Sequence, residues 1–406
     1  MILVEKHDYT KLSKHFNELD NLCFLSKNLY NVTLYHVRQH YFQHREYLSY
    51  NKINKLSNDL FPDDYTALPR KVSQQVQKIV DNNFKSFFNH LKVRKQGERI
   101  NIPKYLHKVD GRQVVPFTKQ AISYNNKNVP NGYIKLSGVS FLIKTKVNNI
   151  QFARIVPKHN LITIEIGYEV KESEYINNNN YASIDLGVNN LATITSNVFK
   201  PFIVNGKPVK SINHYYNKKI AQLASRHKNI WTNKMYQITR KRDNKIKDYM
   251  HKASRYIVNH LVDNNINNLV IGYNKGWKQD TNTGKRNNQN FVQIPFLTFV
   301  QMLEYKCKLV GINVIIHEES YTSQSSFLHQ DYIPTYGKDD KINKFSGKRI
   351  YRGLYRNQDK TSINADVNGS LNILRKTLIE QEVWNEKLFS DCIKVCSTPS
   401  VYTVKL

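Results

Sequence analysis

Two short segments, YASIDLGVNNLATITS around Asp185 and TSINADVNGSLNIL around Asp366, each set one carboxylate where a strand end or a helix start can aim it at a shared metal. Asp185 follows an apolar run and precedes Gly187, whose missing side chain lets a phosphate or a second strand approach closely. Taken alone, an Asp at a strand end is most often a turn former, and an Asp at a helix start is a common cap. Together they are more specific. Two-metal nucleases use carboxylates because hard Mg²⁺ prefers oxygen ligands, and because clustered negative charge holds two ions against the attacking and leaving oxygens. Such a site needs a third acid, expected at the end of the strand NNLVIGY, and Gly272 stands there. Two acids, Glu318 and Glu319, close the next strand in IIHEESYTSQSS, from which either could reach across the space a glycine leaves. The residues themselves do not choose between them. His317 beside them reads as structural, with proton transfer as its alternative role.

The charge balance supplies the substrate class. Lys and Arg number 61 against 32 Asp and Glu, a formal net charge of +29, which repels itself unless a polyanion neutralises it. The 26 Tyr and 18 Phe interleaved with the cations favour nucleic acid, since rings stack on bases while cations hold phosphates. Four cysteines, Cys23, Cys307, Cys392 and Cys396, are too few and too scattered for a disulfide framework. Cys392 and Cys396 lack a second ligand pair, so no cysteine zinc site is expected. No apolar run reaches membrane-spanning length, so the expectation is a soluble protein of a reducing cytoplasm with no membrane partner.

The elements that must position these acids follow from periodicity. Residues 1 to 7 read as a strand, and the pattern from Tyr9 to Arg94 is helical. In LPRKVSQQVQKIVDNNFKSFFNHLK the apolar residues Val72, Val76, Val80, Phe84 and Phe88 share one face, which leaves Lys71, Lys78, Lys85, Lys92 and Arg94 for a phosphate backbone. From Ile100 to Val170 the period falls toward two, as in LITIEIGYEV, predicting a small barrel closed with the N-terminal strand. After the polar linker ESEYINNNN come three strands, long basic helices, a strand, a helix, a strand and a helix. That order is expected of an RNase H-like α/β domain. The stretch after Ile379 reads as a polar tail.

IDLGVNNLATI, GKPVKSINHYYNKKIAQLASR, IPFLTFVQMLEYKCKLVGINV, YTSQSS and NADVNGSLNILRK, in that order, resemble the TnpB proteins of bacterial insertion sequences, relatives of the type V CRISPR effectors. The resemblance extends more loosely over LPRKVSQQVQKIVDNNFKSFFNHLK and FARIVPKHNLITIEIGYE, and so covers most of residues 1 to 380. It implies a multidomain α+β chain. A wedge-like β-barrel (1–8 and 100–172) would be interrupted by a helical recognition domain (9–99) and followed by a RuvC-like nuclease domain (181–320 and 358–380). A basic insertion (321–357) and a C-terminal tail (381–406) complete the layout.

The implied activity is RNA-guided, Mg²⁺-dependent DNA cleavage, with a guide noncoding RNA and double-stranded target DNA as partners. Two Mg²⁺ ions are expected at Asp185, Asp366 and one of Glu318 and Glu319. The family's middle Glu usually lies on the strand that here ends in Gly272, and a subset resembles this chain in carrying acids before YTS instead. The usual four-cysteine zinc ribbon is also missing, because the stretch between YTS and Asp366 contains no Cys, so no structural zinc is expected. Lys348, Arg349, Arg352 and Arg356 in that stretch, and Trp277, Lys278, Lys285 and Arg286 in the loop after Gly272, are the further candidate nucleic-acid contacts. The rival expectation is a nuclease-inactive, RNA-guided DNA-binding repressor, which Gly272 favours. A strand-joining transposase would use similar carboxylates.

Overall fold

A computed structural model describes the chain except for residues 96, 229, 275–288, 290, 338–343, 352 and 406. It divides into two compact units, Met1–Val170 and Lys171–Leu406.

The first unit opens with β1 (Ile2–Thr10), followed by α1 (Phe16–His44), α2 (Tyr50–Leu60), α3 (Pro62–Thr66) and α4 (Arg70–Lys92). In α4 Pro69 sits at the N-cap, where the absence of its N–H costs nothing. Val72, Val76, Val80 and Phe84 are buried, as their spacing requires, while Lys71, Lys78, Lys85 and Lys92 are exposed. The strands β2 (Val115–Thr118), β6 (Ile150–Lys158) and β7 (Leu161–Glu169) join β1 in the order β1-β7-β6-β2, and β3 (Ile122–Asn126), β4 (Val129–Leu136) and β5 (Ile143–Lys144) form a second sheet. The N-terminal strand pairs as expected, antiparallel to β7 over nine residue pairs from Ile2↔Glu169 to Thr10↔Leu161. The expected single barrel is instead two ladders: β2 and β1 are the edges of the first, and a short 3₁₀ turn at Lys119–Ala121 takes the chain into the second.

The second unit is built on a sheet of order β12-β11-β8-β9-β10-β16 among the described residues. Its strands are β8 (Tyr181–Leu186), β9 (Asn190–Ser196), β10 (Phe202–Asn205), β11 (Asn268–Gly272), β12 (Asn313–His317) and β16 (Ser400–Tyr402). β9 runs antiparallel to both β8 and β10, whereas β11 and β12 lie parallel to β8. Parallel neighbours need crossovers. The helices α5 (Lys207–Arg226) and α6 (Asn233–Asp263) supply the first, and α7 (Phe296–Leu309) the second. Alternation along β8 sorts the two faces. Ala182, Ile184 and Leu186 share a core with Tyr249, Met250 and Ile257 of α6 and with Phe299 and Leu303 of α7. Tyr181 and, on β11, Val270 pack instead with α8 (Ala365–Glu380).

Two sequence expectations are corrected here. The stretch expected to be a basic loop contains β13 (Gly347–Tyr351) and β14 (Leu354–Asn357), which pair antiparallel and are joined by β15 (Ser362–Ile363). Asp331 anchors this piece by accepting from Ser326 N at 2.8 Å and from Ser346 Oγ at 2.6 Å. The residues after Ile379 are no loose tail: α9 (Glu386–Val395) buries Leu388 and Cys392 in the α8 core, and β16 runs parallel to β10 from Phe202↔Ser400.

Candidate carboxylate site

The site grows from β8. Ser183, Asp185 and the other odd-numbered positions face α8, and there the small residues of NADVNGSL let helix and strand approach. Ser183 Oγ donates to Ser370 O at 2.8 Å, and Thr195 Oγ1 lies 2.9 Å from Ser370 Oγ. One residue earlier, a Cβ on Gly369 would stand 3.0 Å from Asp185 Oδ2, so α8 rests almost directly on the carboxylate. Burial, and the Asp366 charge after it, push the Asp185 carboxyl up to about 7.

Asp366 is not the helix cap. Asn364 takes that place, its side chain accepting from Asp366 N at 3.0 Å and Val367 N at 3.2 Å. The Asp366 carboxylate is thereby released toward Asp185, where Asn190 Nδ2 donates to it at 2.6 Å and Arg349 Nη2 at 3.1 Å.

The two glutamates separate. Glu318 turns to α8, where the buried Lys376 Nζ lies 2.5 Å from Oε2, while Oε1 accepts from Ser320 N at 2.6 Å. Glu319 turns inward over the gap at Gly272: a Cβ there would stand 2.6 Å from Glu319 Oε2 and 2.5 Å from Ile373 Cδ1. Burial, with the Asp185 and Glu318 charges behind it, pushes the Glu319 carboxyl up to about 8. Its Oε2 is buried without a hydrogen-bond partner. His317 is engaged elsewhere, with Nε2 2.8 Å from Glu380 Oε2.

Asp185 therefore couples to Asp366 on one side and to Glu319 on the other. These are pairwise couplings: among the described residues no three His, Cys, Asp or Glu side chains converge into a ready-made metal cluster.

Of the cationic candidates, Lys71, Lys92, Arg94, Lys348 and Arg356 are exposed. Lys85 pairs with Asp81 at 2.6 Å, and Lys78 lies 5.1 Å from the centre of the Tyr50 ring. Arg349, expected to touch phosphate, is held by Asp366. Trp277, Lys278, Lys285, Arg286 and Arg352 lie outside the described residues. Sequence reasoning missed Asn190 and Lys376, although each sits within a motif it had singled out. Asn190 lies five residues beyond Asp185, and Lys376 follows the cap Asn364 by three helical turns.

Residues 165–278 match the family model OrfB_IS605, described as a probable transposase, and residues 296–373 match that of the Cas12f1-like TNB domain. The chain thus carries TnpB-type and Cas12f-type segments in order along its strand-and-helix half, and the TnpB resemblance read from its motifs is borne out. The TnpB-like protein ORF457 of Acidianus two-tailed virus is 22% identical over 416 residues, covering 89% of this chain and 83% of the relative. The CRISPR-associated endodeoxyribonuclease Cas12f2 of a Micrarchaeota archaeon is 28% identical over 229 residues, 52% of this chain and 40% of that protein. Among solved structures, the Cas12f1–sgRNA–target DNA complex matches 91% of this chain and 98% of its own at 14% identity and a TM-score of 0.34. The mini-RNA-guided endonuclease CRISPR-Cas_phi3 matches 92% of each chain at 10% identity and a TM-score of 0.43. Likeness of that degree carries no argument about the site.

Proposed function

We propose that this chain is an RNA-guided DNA endonuclease of a transposable element, cutting phosphodiesters with a RuvC-type carboxylate centre. The observation that carries the reading is Glu319, whose buried, unpartnered oxygen occupies the space above Gly272 beside Asp185. It supplies a third acid where the usual one is missing. Asp185, Asp366 and Glu319 are the acids of the centre, and Glu318 is a structural partner of Lys376. The names of the relatives support nuclease chemistry, and the net charge of +29 supports a nucleic-acid partner.

The donor set fits a hard divalent cation: the three side chains offer oxygens alone, and two of them are held above the ordinary carboxylate range by burial and by neighbouring acids. Asp185, Asp366 and Glu319 would hold Mg²⁺, which when bound activates water and stabilises the leaving oxygen in an in-line displacement. The protein's own part is placement. The cap Asn364 frees Asp366, Asn190 orients it, and Gly369 and Gly272 let α8 and Glu319 close on Asp185. The exposed cations of α4 and of β13 and β14 would hold nucleic-acid backbone, base pairing with the guide would supply specificity, and a short motif beside the target would be read by the protein.

Sequencing the RNA that co-purifies with the protein, then programming cleavage of a plasmid that carries a matching target, tests the reading. Cutting by the unmutated protein and none by Asp185→Ala, with guide and target still bound, is the expected result. Target binding without cutting by the unmutated protein would make it the repressor, and a strand-transfer product would make it a transposase.

A further inference from the structure

On the face of the sheet opposite α8, the helices α6 and α7 and the strand β16 enclose an open cleft of about 550 Å³. Cations and rings line it. Tyr256 and Tyr402 stack with centroids 3.5 Å apart and planes 2° from parallel. Around them stand His251, Lys252, Arg255 and Lys306, and among the described lining residues none is acidic. Lys252 is shared with Asp248 at 2.7 Å and donates to Lys405 O at 3.1 Å. Arg255 is exposed. Lys306, by contrast, is 3% exposed and fixed in place by bonds to His251 O at 2.8 Å and Ser254 Oγ at 2.7 Å.

A buried ammonium held beside a guanidinium with no carboxylate between them is costly unless an anion arrives. Burial, with the nearby Arg255 charge behind it, pushes Lys306 down to about 8, in keeping with that cost. The rings specify the rest of the ligand. A phosphate alone needs no stacked tyrosines, whereas a nucleotide offers a flat base to the rings and a phosphate to the cations. Duplex DNA keeps its bases stacked inside, while RNA loops splay theirs outward onto aromatic side chains. The carboxylates lie on the α8 face, so the cleft is not where the strand to be cut would meet them.

We propose that this cleft binds an unstacked nucleotide of an RNA strand, its base against the Tyr256–Tyr402 pair and its phosphate between Arg255 and Lys306. For the identity of the RNA the proposal rests on the function proposed above.

Photocrosslinking of the full chain to a short thiouridine-substituted RNA hairpin, with the adducts mapped by mass spectrometry, tests it alongside affinity measurements on Arg255→Glu and Tyr402→Leu. Adducts on Tyr256 or Tyr402, and about tenfold weaker binding by each variant, are expected. Arg255 is exposed, so its variant should melt like the parent. Tyr402→Leu keeps the apolar contact, which guards against loss of β16. Undiminished binding by both variants with adducts elsewhere would overturn the cleft and leave the guided reading standing. Competition by free uridine monophosphate as effective as that by the RNA, or equal adducts from single-stranded DNA, would overturn the assignment to an RNA strand. Failure of the unmutated protein to bind RNA would overturn both proposals.

Discussion

Gly272→Ala is the smallest change that addresses the carboxylate site through its geometry. The new methyl would stand 2.6 Å from Glu319 Oε2 and 2.5 Å from Ile373 Cδ1, both well inside the roughly 3.5 Å of ordinary van der Waals contact. Both neighbours must therefore give, and the Glu319 carboxylate is displaced by roughly 1 Å. A misplacement of that size costs about 10²-fold in rate when the displaced group holds the reacting centre. Single-turnover cleavage of a guide-matched plasmid measures this, with guide and target affinities taken separately. We expect the rate to fall about 10²-fold at nearly unchanged affinities, and Glu319→Gln to fall further. Gly272→Glu combined with Glu319→Ala moves the acid to the glycine's own strand and removes the clash with Glu319, leaving only Ile373 Cδ1 to shift, and should recover part of the activity that Glu319→Ala loses. Cleavage by Gly272→Ala at the parent rate, or normal cutting by Glu319→Gln alongside loss in Glu318→Gln, would refute the reasoning.

Other outcomes follow from the same contacts. Asp185 and Glu319 have native-state pKa values above the ordinary carboxylate range, so between those values the native state binds more protons than the unfolded chain, and stability falls as pH rises through that window to about 8. Chelator-treated protein should therefore melt lower at pH 8 than at pH 5, and Asp185→Asn, though inactive, should recover a few kcal/mol at the higher pH, on the order of the lost repulsion. Calorimetry showing the opposite slope would contradict the crowding of acids. Lys376→Met removes the buried partner of Glu318 and should cost about 1–3 kcal/mol in chemical denaturation while cleavage persists; a selective loss of catalysis would return Glu318 to the site. Deleting residues 386–405 exposes the β10 edge and the positions that cover Leu388, Cys392 and Val404, so we expect a markedly lowered melting temperature or aggregation, read by light scattering. A deletion that melts like the full chain would show that β16 contributes little.

What the sequence determined by itself was whatever local periodicity encodes. The apolar spacing of α4 and the strand-and-helix order from Tyr181 to His317, with α8 after it, were legible, because burying one face dictates residue type at 3.6- or two-residue intervals. Asp185 and Asp366 were legible for the related reason that each sits at the end of such an element. The sequence could not choose between Glu318 and Glu319. Adjacent residues leave a strand end in opposite directions, and only the packing of α8 sends the first to Lys376 and the second over Gly272. It also missed β16, a three-residue strand too short to carry a pattern, which exists because the β10 edge is there to pair with it. Nor could it foresee that Asn364 would take the cap and leave the Asp366 carboxylate free, since either residue suits the position and the choice is made by Asn190 and Arg349, which arrive from other elements.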